Sequence, residues 1–228
     1  MSTRLEIHRH TAAAPWTYAD LERRQAEVRD EVTGGGPGRL IFSEVAPVVT
    51  LGFRKTTEDL LADHAEFDRR GVAVLEVTRG GRATYHGPGQ WVVFPVESLE
   101  RLTGDRRGVR KLVEGILDGV RAASRDRFPR AEIRGGKEAG VWTESGPRGA
   151  KFAALGIRVV DGVAQHGVCV NVFSTPESFA GIRPCGLDAA VAYLAGGPED
   201  PVERERSFLD RRARLERALL DRFPIFRE

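Results

Sequence analysis

Lys151–Val172, KFAALGIRVVDGVAQHGVCVNV, carries the reading on which the fold turns. Two runs rich in β-branched and other apolar residues flank Asp161-Gly162, a dipeptide suited to a tight hairpin turn whose two central residues need positive φ. Two adjacent antiparallel strands are expected there. Just upstream, AEIRGGKEAGVWT (131–143) reads as a second hairpin-like run, separated from the first by the polar turn ESGPRG (144–149).

Working outward towards the N-terminus, GVAVLEVTRGGRATYHGPGQWVVFPVESL (71–99) predicts strands on either side of a glycine-rich bend. RLIFSEVAPVVTLGF (39–53) predicts a strand pair broken at Pro47. Tyr18 to Val32 spaces Leu21, Gln25, Val28 and Val32 as an amphipathic helix, stopped by GGGPG at 34–38. Arg110 to Arg127 sets Leu112, Val113, Ile116, Leu117 and Val120 on one helical face, and a last helix is expected from about Val202 to Asp221. Strands arrive in neighbouring pairs with helices flanking them, so the class is mixed α/β (α+β) rather than a doubly wound sheet. With 228 residues and no linker, one domain spanning 1–228 is expected.

Composition narrows the function. Lys and Arg number 35 against 33 Asp and Glu, interspersed, for a net charge of +2, which argues against nucleic acid as a partner. The densest basic run, Arg204 to Arg217, alternates with acids at helical spacing and reads as a solvated helix face. No segment approaches the ~20 apolar residues of a membrane span, and the first residues lack the apolar core of a signal peptide. A soluble, cytoplasmic protein without a membrane partner is the expectation. Two cysteines, Cys169 and Cys185, make no disulfide framework, and their spacing with histidine fits no zinc template, so neither a metal nor another cofactor is expected.

Chemistry concentrates in two places. RGGRATYHGPGQ (79–90) packs four glycines, a proline, two arginines, a histidine and a tyrosine into twelve residues. Glycines let backbone approach a ligand closely, and Arg79, Tyr85 and His86 can line one cavity; a plain surface loop is the alternative. Neither a Walker loop nor a dinucleotide fingerprint occurs. Cys185 lies in GIRPCGLD, with a stiff proline before it and a permissive glycine after it, an arrangement that suits a held, exposed thiol; a buried structural cysteine is the alternative. A nucleophilic cysteine needs a base or a cation beside it, for which His86, His166, Lys137 and Lys151 are candidates. Cys169, alternating with apolar residues, reads as a core or pocket-wall residue.

Together these motifs resemble the lipoyl(octanoyl) transferase family. RGGRATYHGPGQ matches its glycine-rich signature, and GVW, GAKFAALGIRV, QHGVCVNV and IRPCGL follow in the family's order and spacing, over roughly Leu40 to Leu194. The resemblance implies a mixed sheet flanked by helices, as in biotin and lipoate protein ligases. It also implies transfer of octanoyl from acyl carrier protein, through a cysteine thioester, to a lysine of lipoyl domains. The acceptors would be the 2-oxo acid dehydrogenase complexes and the glycine cleavage H protein, with the enzyme a monomer. On this chain the acyl-carrying cysteine maps to Cys185 and the lysine that favours its thiolate to Lys151. The substrate-contacting segments map to Arg79, Gly80, Gly81, Arg82, Ala83, Thr84, Tyr85 and His86, to Ala154, Leu155 and Gly156, and to Gly167, Val168 and Cys169.

The chain departs from the family at three places. Phe53 follows the glycine of TLGFRK where a polar or basic residue is usual, Cys169 replaces a small apolar residue, and GLDAAVAYL lacks the hydroxyl residue expected a few places after Cys185. Lys151 is preferred to Lys137 as the cysteine's partner because it opens an apolar strand. The acyl carbonyl is expected near the N–H groups of Gly80 and Gly156. An ATP-dependent ligase, an amidotransferase between lipoyl domains and a non-catalytic carrier-domain binder are the alternatives.

Overall fold

The computed structural model describes residues 4–54, 57–144, 149–196 and 200–227. The first half of the chain runs β1 (Leu5–His8), α1 (Tyr18–Thr33), β2 (Arg39–Ser43), β3 (Val48–Leu51), α2 (His64–Arg69), β4 (Ala73–Glu76), β5 (Thr84–His86) and β6 (Gln90–Val96). The second half runs α3 (Leu99–Thr103), α4 (Val109–Ala123), β7 (Glu132–Arg134), β8 (Gly140–Trp142), β9 (Ala150–Val160), β10 (Val163–Asn171), β11 (Ala190–Val191) and α5 (Pro201–Arg222).

The hairpin around residues 161 and 162 forms as the sequence predicts, with Asp161 at φ +50° and Gly162 at φ +77°, the paired positive angles of a two-residue hairpin turn. Its strands β9 and β10 lie in the middle of a sheet ordered β1-β2-β6-β10-β9-β8-β7, to which β11 adds beside β9. β1 runs parallel to β2 and β11 parallel to β9, and the remaining pairs are antiparallel. A three-stranded sheet, β4-β3-β5, lies apart from it. Side chains alternate along each strand, so the large sheet feeds two cores. Phe42, Trp91, Val93, Val168 and Val170 pack with α4 and α5, whereas Ile41, Val92, Phe94, Val96 and Cys169 pack with α1.

The helix expected at Tyr18–Val32 starts at a capping box. The Thr17 hydroxyl accepts the Asp20 N–H at 3.2 Å, and the Asp20 carboxylate accepts the Thr17 N–H at 2.9 Å. Two expectations are revised. The predicted partners in 39–53 do not pair with each other, because β2 joins the large sheet and β3 the small one. Pro47 has no N–H for a ladder, and the connecting residues bond elsewhere, Glu44 N–H to His8 and Ala46 N–H to Trp16. The helix expected to reach Arg127 stops at Ala123, where Ser124 folds its hydroxyl onto the Arg121 carbonyl at 3.0 Å, and the turn that follows packs Phe128 against Phe152, the rings tilted by 32°. Most of the polar turn at 144–149 lies outside the described residues. The basic run of α5 is laced with ion pairs, among them Arg211 to Asp126 and Arg214 to Asp210. No helix among the described residues is long and apolar enough to cross a membrane.

Candidate active site

A cavity of about 740 Å³ lies between the α1 face of the large sheet and the glycine-rich bend, within the usual range for small-molecule pockets. Its floor follows from register. Ala154 stands opposite Cys169 and Gly156 opposite Gly167 across β9 and β10, so small side chains adjoin on one face and leave space above them. Val92 faces Cys169 from β6, and Phe94 and Tyr18 complete the wall. The bend is fastened by Arg79, which is buried and donates to the Thr50 carbonyl (2.7 Å) and hydroxyl (2.7 and 3.2 Å) and to the Gly80 carbonyl (2.9 Å). A Cβ on Gly156 would come within 2.9 Å of the Gly80 carbonyl, so glycine there allows the bend to rest on the sheet.

At the mouth, Lys151 Nζ lies 3.5 Å from Cys185 Sγ. Alternation along an unbroken β9 would not bring the amine there. Trp142 pairs with Lys151 and Val141 with Ala153, which leaves Phe152 as an extra residue, a β-bulge. Phe152 and Ala153 therefore both enter the α4–α5 core, and Lys151 turns with Ala154 to the cavity. The Lys151 ammonium also lies 5.5 Å from the Trp142 ring centroid, an arrangement that favours a held cation. β11, five residues past Cys185, pairs Val191 with Lys151 and so fastens the cysteine loop beside the lysine.

Cys185 itself has φ +56° and ψ +18°, a left-handed conformation that costs a side-chain-bearing residue free energy. Its N–H donates to the Ala83 carbonyl at 2.8 Å, and the Arg183 N–H to the Asp59 carbonyl at 2.7 Å. The fully buried Asp59 carboxylate accepts two hydrogen bonds from Arg82, at 2.8 and 2.7 Å. The Arg82 side chain lies flat where a Cβ on Gly186 would be, 2.2 Å from Nε. Asp59, through Arg82, thus positions the loop that presents the thiol. Asp59→Asn is expected to lower the turnover number on the order of ten- to hundredfold, because small misplacements of a reacting atom are costly. The donor KM should change little. Equal turnover by wild type and variant in steady-state assays would show that the loop holds without this pair.

Of the segments singled out in the sequence, Arg79, Gly80, Gly81, Arg82, Thr84, His86, Ala154, Leu155, Gly156, Gly167, Val168 and Cys169 line the cavity with Lys151 and Cys185. Ala83 and Tyr85 do not. β5 alternates, so Thr84 and His86 face the cavity while Ala83 and Tyr85 enter a separate core with Val49, Phe67 and Ile182. Burial pushes the Tyr85 phenol up to about 12.

The expected carbonyl site is also revised. The Gly80 N–H donates to the Ile157 carbonyl at 3.3 Å, and Gly156 sits in the β9–β10 ladder at a hydrogen-bonded position counted from the turn. Neither N–H is free for an oxyanion. His86 and His166 are poor partners for the thiol, since burial first and the nearby Arg79 charge second pull both down to about 3. Lys137 is exposed at the rim. Burial pushes the Cys169 thiol up, and it donates to Gln90 Oε1 at 2.8 Å. Tyr18, Val92 and Phe94 escaped the sequence reading, although β6 alternation matched to the β10 register would have singled out the last two.

Among the described residues, no three His, Cys, Asp or Glu side chains gather as a metal site. The family model described as the lipoyl protein ligase A/B catalytic domain matches residues 18–206. An octanoyltransferase of Arthrobacter sp. (strain FB24) is 37% identical over 175 residues, covering 75% of this chain and 73% of that protein. One of Xanthomonas campestris pv. campestris (strain B100) is 38% identical over 201 residues, covering 84% and 77%. A lipoate-protein ligase A bound with ATP superposes with a TM-score of 0.69 at 15% identity, over 98% of this chain and 86% of that one. A bipartite lipoate protein ligase from Thermoplasma acidophilum, studied with its E2 lipoyl domain, gives 0.67 at 16% identity, over 98% and 84%. These two structures share the fold.

Proposed function

This chain belongs to the lipoyl protein ligase A/B catalytic-domain family, and on that premise we propose that it transfers octanoyl from acyl carrier protein to a lipoyl-domain lysine through a thioester on Cys185. It is an acyltransferase of protein lipoylation, as its octanoyltransferase relatives indicate. The observation that carries the thioester reading is the Lys151 amine 3.5 Å from the Cys185 sulfur at the mouth of a largely apolar cavity. An ammonium beside sulfur stabilises the thiolate, the nucleophilic form. The thiolate attacks the donor's thioester carbonyl, a carbon–sulfur bond forms on Cys185, and the donor sulfur leaves with the proton that Lys151 gives up. Lys151 is then a neutral amine. When the acceptor lysine attacks, the amide bond forms, the Cys185 carbon–sulfur bond breaks, and Lys151 takes the proton from the incoming amine.

Exchange of one thioester for another is nearly balanced in free energy, so no ATP is needed. The acceptors in this reading are the lipoyl domains of 2-oxo acid dehydrogenase complexes and the glycine cleavage H protein, in the cytoplasm. Intact mass spectrometry of the protein with octanoyl acyl carrier protein and an unmodified lipoyl domain tests it. Octanoyl should pass from donor to Cys185 to acceptor without ATP, and a requirement for ATP and free octanoate would replace this reading with a ligase. Cys169→Ala should keep most of the transfer, because the Cys169 thiol is buried and held protonated by its surroundings; an acyl adduct on Cys169 in the wild type would reverse the assignment.

A further inference from the structure

We propose that the inner wall of the acyl cavity is a hydroxyl-recognising station built on His86, so that acyl thioesters carrying a neutral hydroxyl in the outer half of the chain are substrates beside unsubstituted octanoyl. The inference rests on the transferase reading above and adds a substrate class to it. A cavity shaped for a plain hydrocarbon chain has no use for polar groups at depth, since a buried donor or acceptor without a partner costs free energy. Yet His86 lines this cavity at 4% exposure, and neither of its ring nitrogens meets a hydrogen-bond partner. Its polar neighbour Gln90 interacts with the ring but does not reach hydrogen-bonding geometry. Gln90 Oε1 already accepts the Cys169 thiol, and Gln90 Nε2 is likewise buried without a partner in hydrogen-bonding geometry. Native interiors keep few such groups, and one that lines a cavity points to a ligand that satisfies it.

The chemistry of the ligand follows from the state of the ring. Burial and the adjacent Arg79 guanidinium hold His86 neutral down to about pH 3, so across the working range it offers one donor and one acceptor. A hydroxyl can give a hydrogen bond to the ring's acceptor nitrogen or take one from its N–H, so it suits whichever nitrogen faces the cavity. A carboxylate would use only the donor and would lose its hydration, and a methyl end uses neither nitrogen. Packing fixes the ring in place, since it stacks on Tyr18, in the first turn of α1, with centroids 5.1 Å apart.

Its depth also suits the outer part of the chain. Ala83 holds the Cys185 N–H at 2.8 Å, and beyond it Thr84 and His86 face the cavity in turn. His86 is therefore about 7 Å further along the strand than Thr84, at ~3.3 Å per residue. A hydroxyl near the carbonyl would fall short of the ring, and one on an outer carbon would reach it.

The test compares transfer of octanoyl with that of 3-, 6-, 7- and 8-hydroxyoctanoyl, each supplied on acyl carrier protein, by wild type, His86→Leu and His86→Gln. The readout is the ratio of hydroxyacyl to octanoyl transfer within each protein, so that any general loss in a variant cancels. Wild type should transfer at least one outer-carbon hydroxyacyl group within about tenfold of octanoyl, and should favour it over the 3-hydroxy compound. His86→Leu should lower that ratio about tenfold, the scale of one net hydrogen bond. His86→Gln, which keeps a donor and an acceptor, should preserve it. Rejection of every outer hydroxyl by wild type while octanoyl is transferred would overturn the station, as would the same ratio in wild type and His86→Leu. The order of preference in wild type decides the matter even if a variant does not fold. Absence of octanoyl transfer by wild type would overturn the transferase reading and this one with it.

Discussion

Cys185→Ser is expected to reduce octanoyl transfer by about 10³-fold or more, with no acyl adduct detectable on the protein after incubation with donor. Removing the nucleophile of a coupled catalytic pair leaves only what binding and positioning supply. Serine replaces a thiol by a hydroxyl, which is a far weaker nucleophile unless a base takes its proton, and a lysine ammonium beside it cannot do so. The fold should survive the change. Serine is close in size, Cys185 is only partly buried, and its N–H bond to Ala83 is a backbone bond that any residue can make. Unchanged circular dichroism and thermal midpoint, together with the lost activity, would locate the effect in the chemistry. Transfer by the serine variant within tenfold of wild type would remove Cys185 from the acyl path.

Substitutions at Lys151 should separate the two half-reactions. Lys151→Ala removes both the cation that stabilises the thiolate and the base that takes the acceptor's proton, so acylation and deacylation should both slow. The deacylation loss should be about 10²- to 10⁴-fold, the contribution of a positioned general base. Lys151→Arg keeps a cation near the sulfur and so keeps part of the acylation rate. A guanidinium does not give up its proton in a protein, so this variant should accumulate the Cys185 acyl-enzyme. Rapid-quench intact mass spectrometry reads the two steps apart. Wild-type rates of acylation and deacylation by Lys151→Ala, with losses at Lys137→Ala or His86→Ala instead, would show that another group is the partner.

Local signals explain what was legible in the chain. The Asp161-Gly162 turn, the period-two runs on either side of it and the capped helix from Tyr18 each depend on neighbours within a few residues. The mixed sheet flanked by helices follows from them, and so does the small-residue floor, since the hairpin register places Ala154 against Cys169 and Gly156 against Gly167. Cys185 and Lys151 were legible through the Pro-Cys-Gly setting, the apolar strand that Lys151 opens and the family motifs. What those signals could not show is where a side chain points once strands from distant parts of the chain compete for it. Ala83 and Tyr85 read as part of one ligand-binding run, yet pairing with β3 assigns them to the opposite face from Thr84 and His86.

The composition and order of the chain, by themselves, determined most of the elements and the fold class, because these rest on backbone propensity, turn chemistry and spacing, and they marked Cys185 as the candidate thiol through its Pro-Cys-Gly setting and the family resemblance. The tertiary structure alone decided the geometry of the site. The bulge at Phe152 that turns Lys151 towards Cys185 arises from β9 matching β8 on one side and β11 on the other. The Asp59–Arg82 pair under the cysteine loop joins residues 23 apart, and the Lys151–Cys185 contact joins residues 34 apart. His86, on the small sheet, is left without a partner in hydrogen-bonding geometry while it stacks on Tyr18 of α1. Each of these depends on which surfaces meet after the chain has folded, and packing between segments remote in sequence leaves no local periodicity to read.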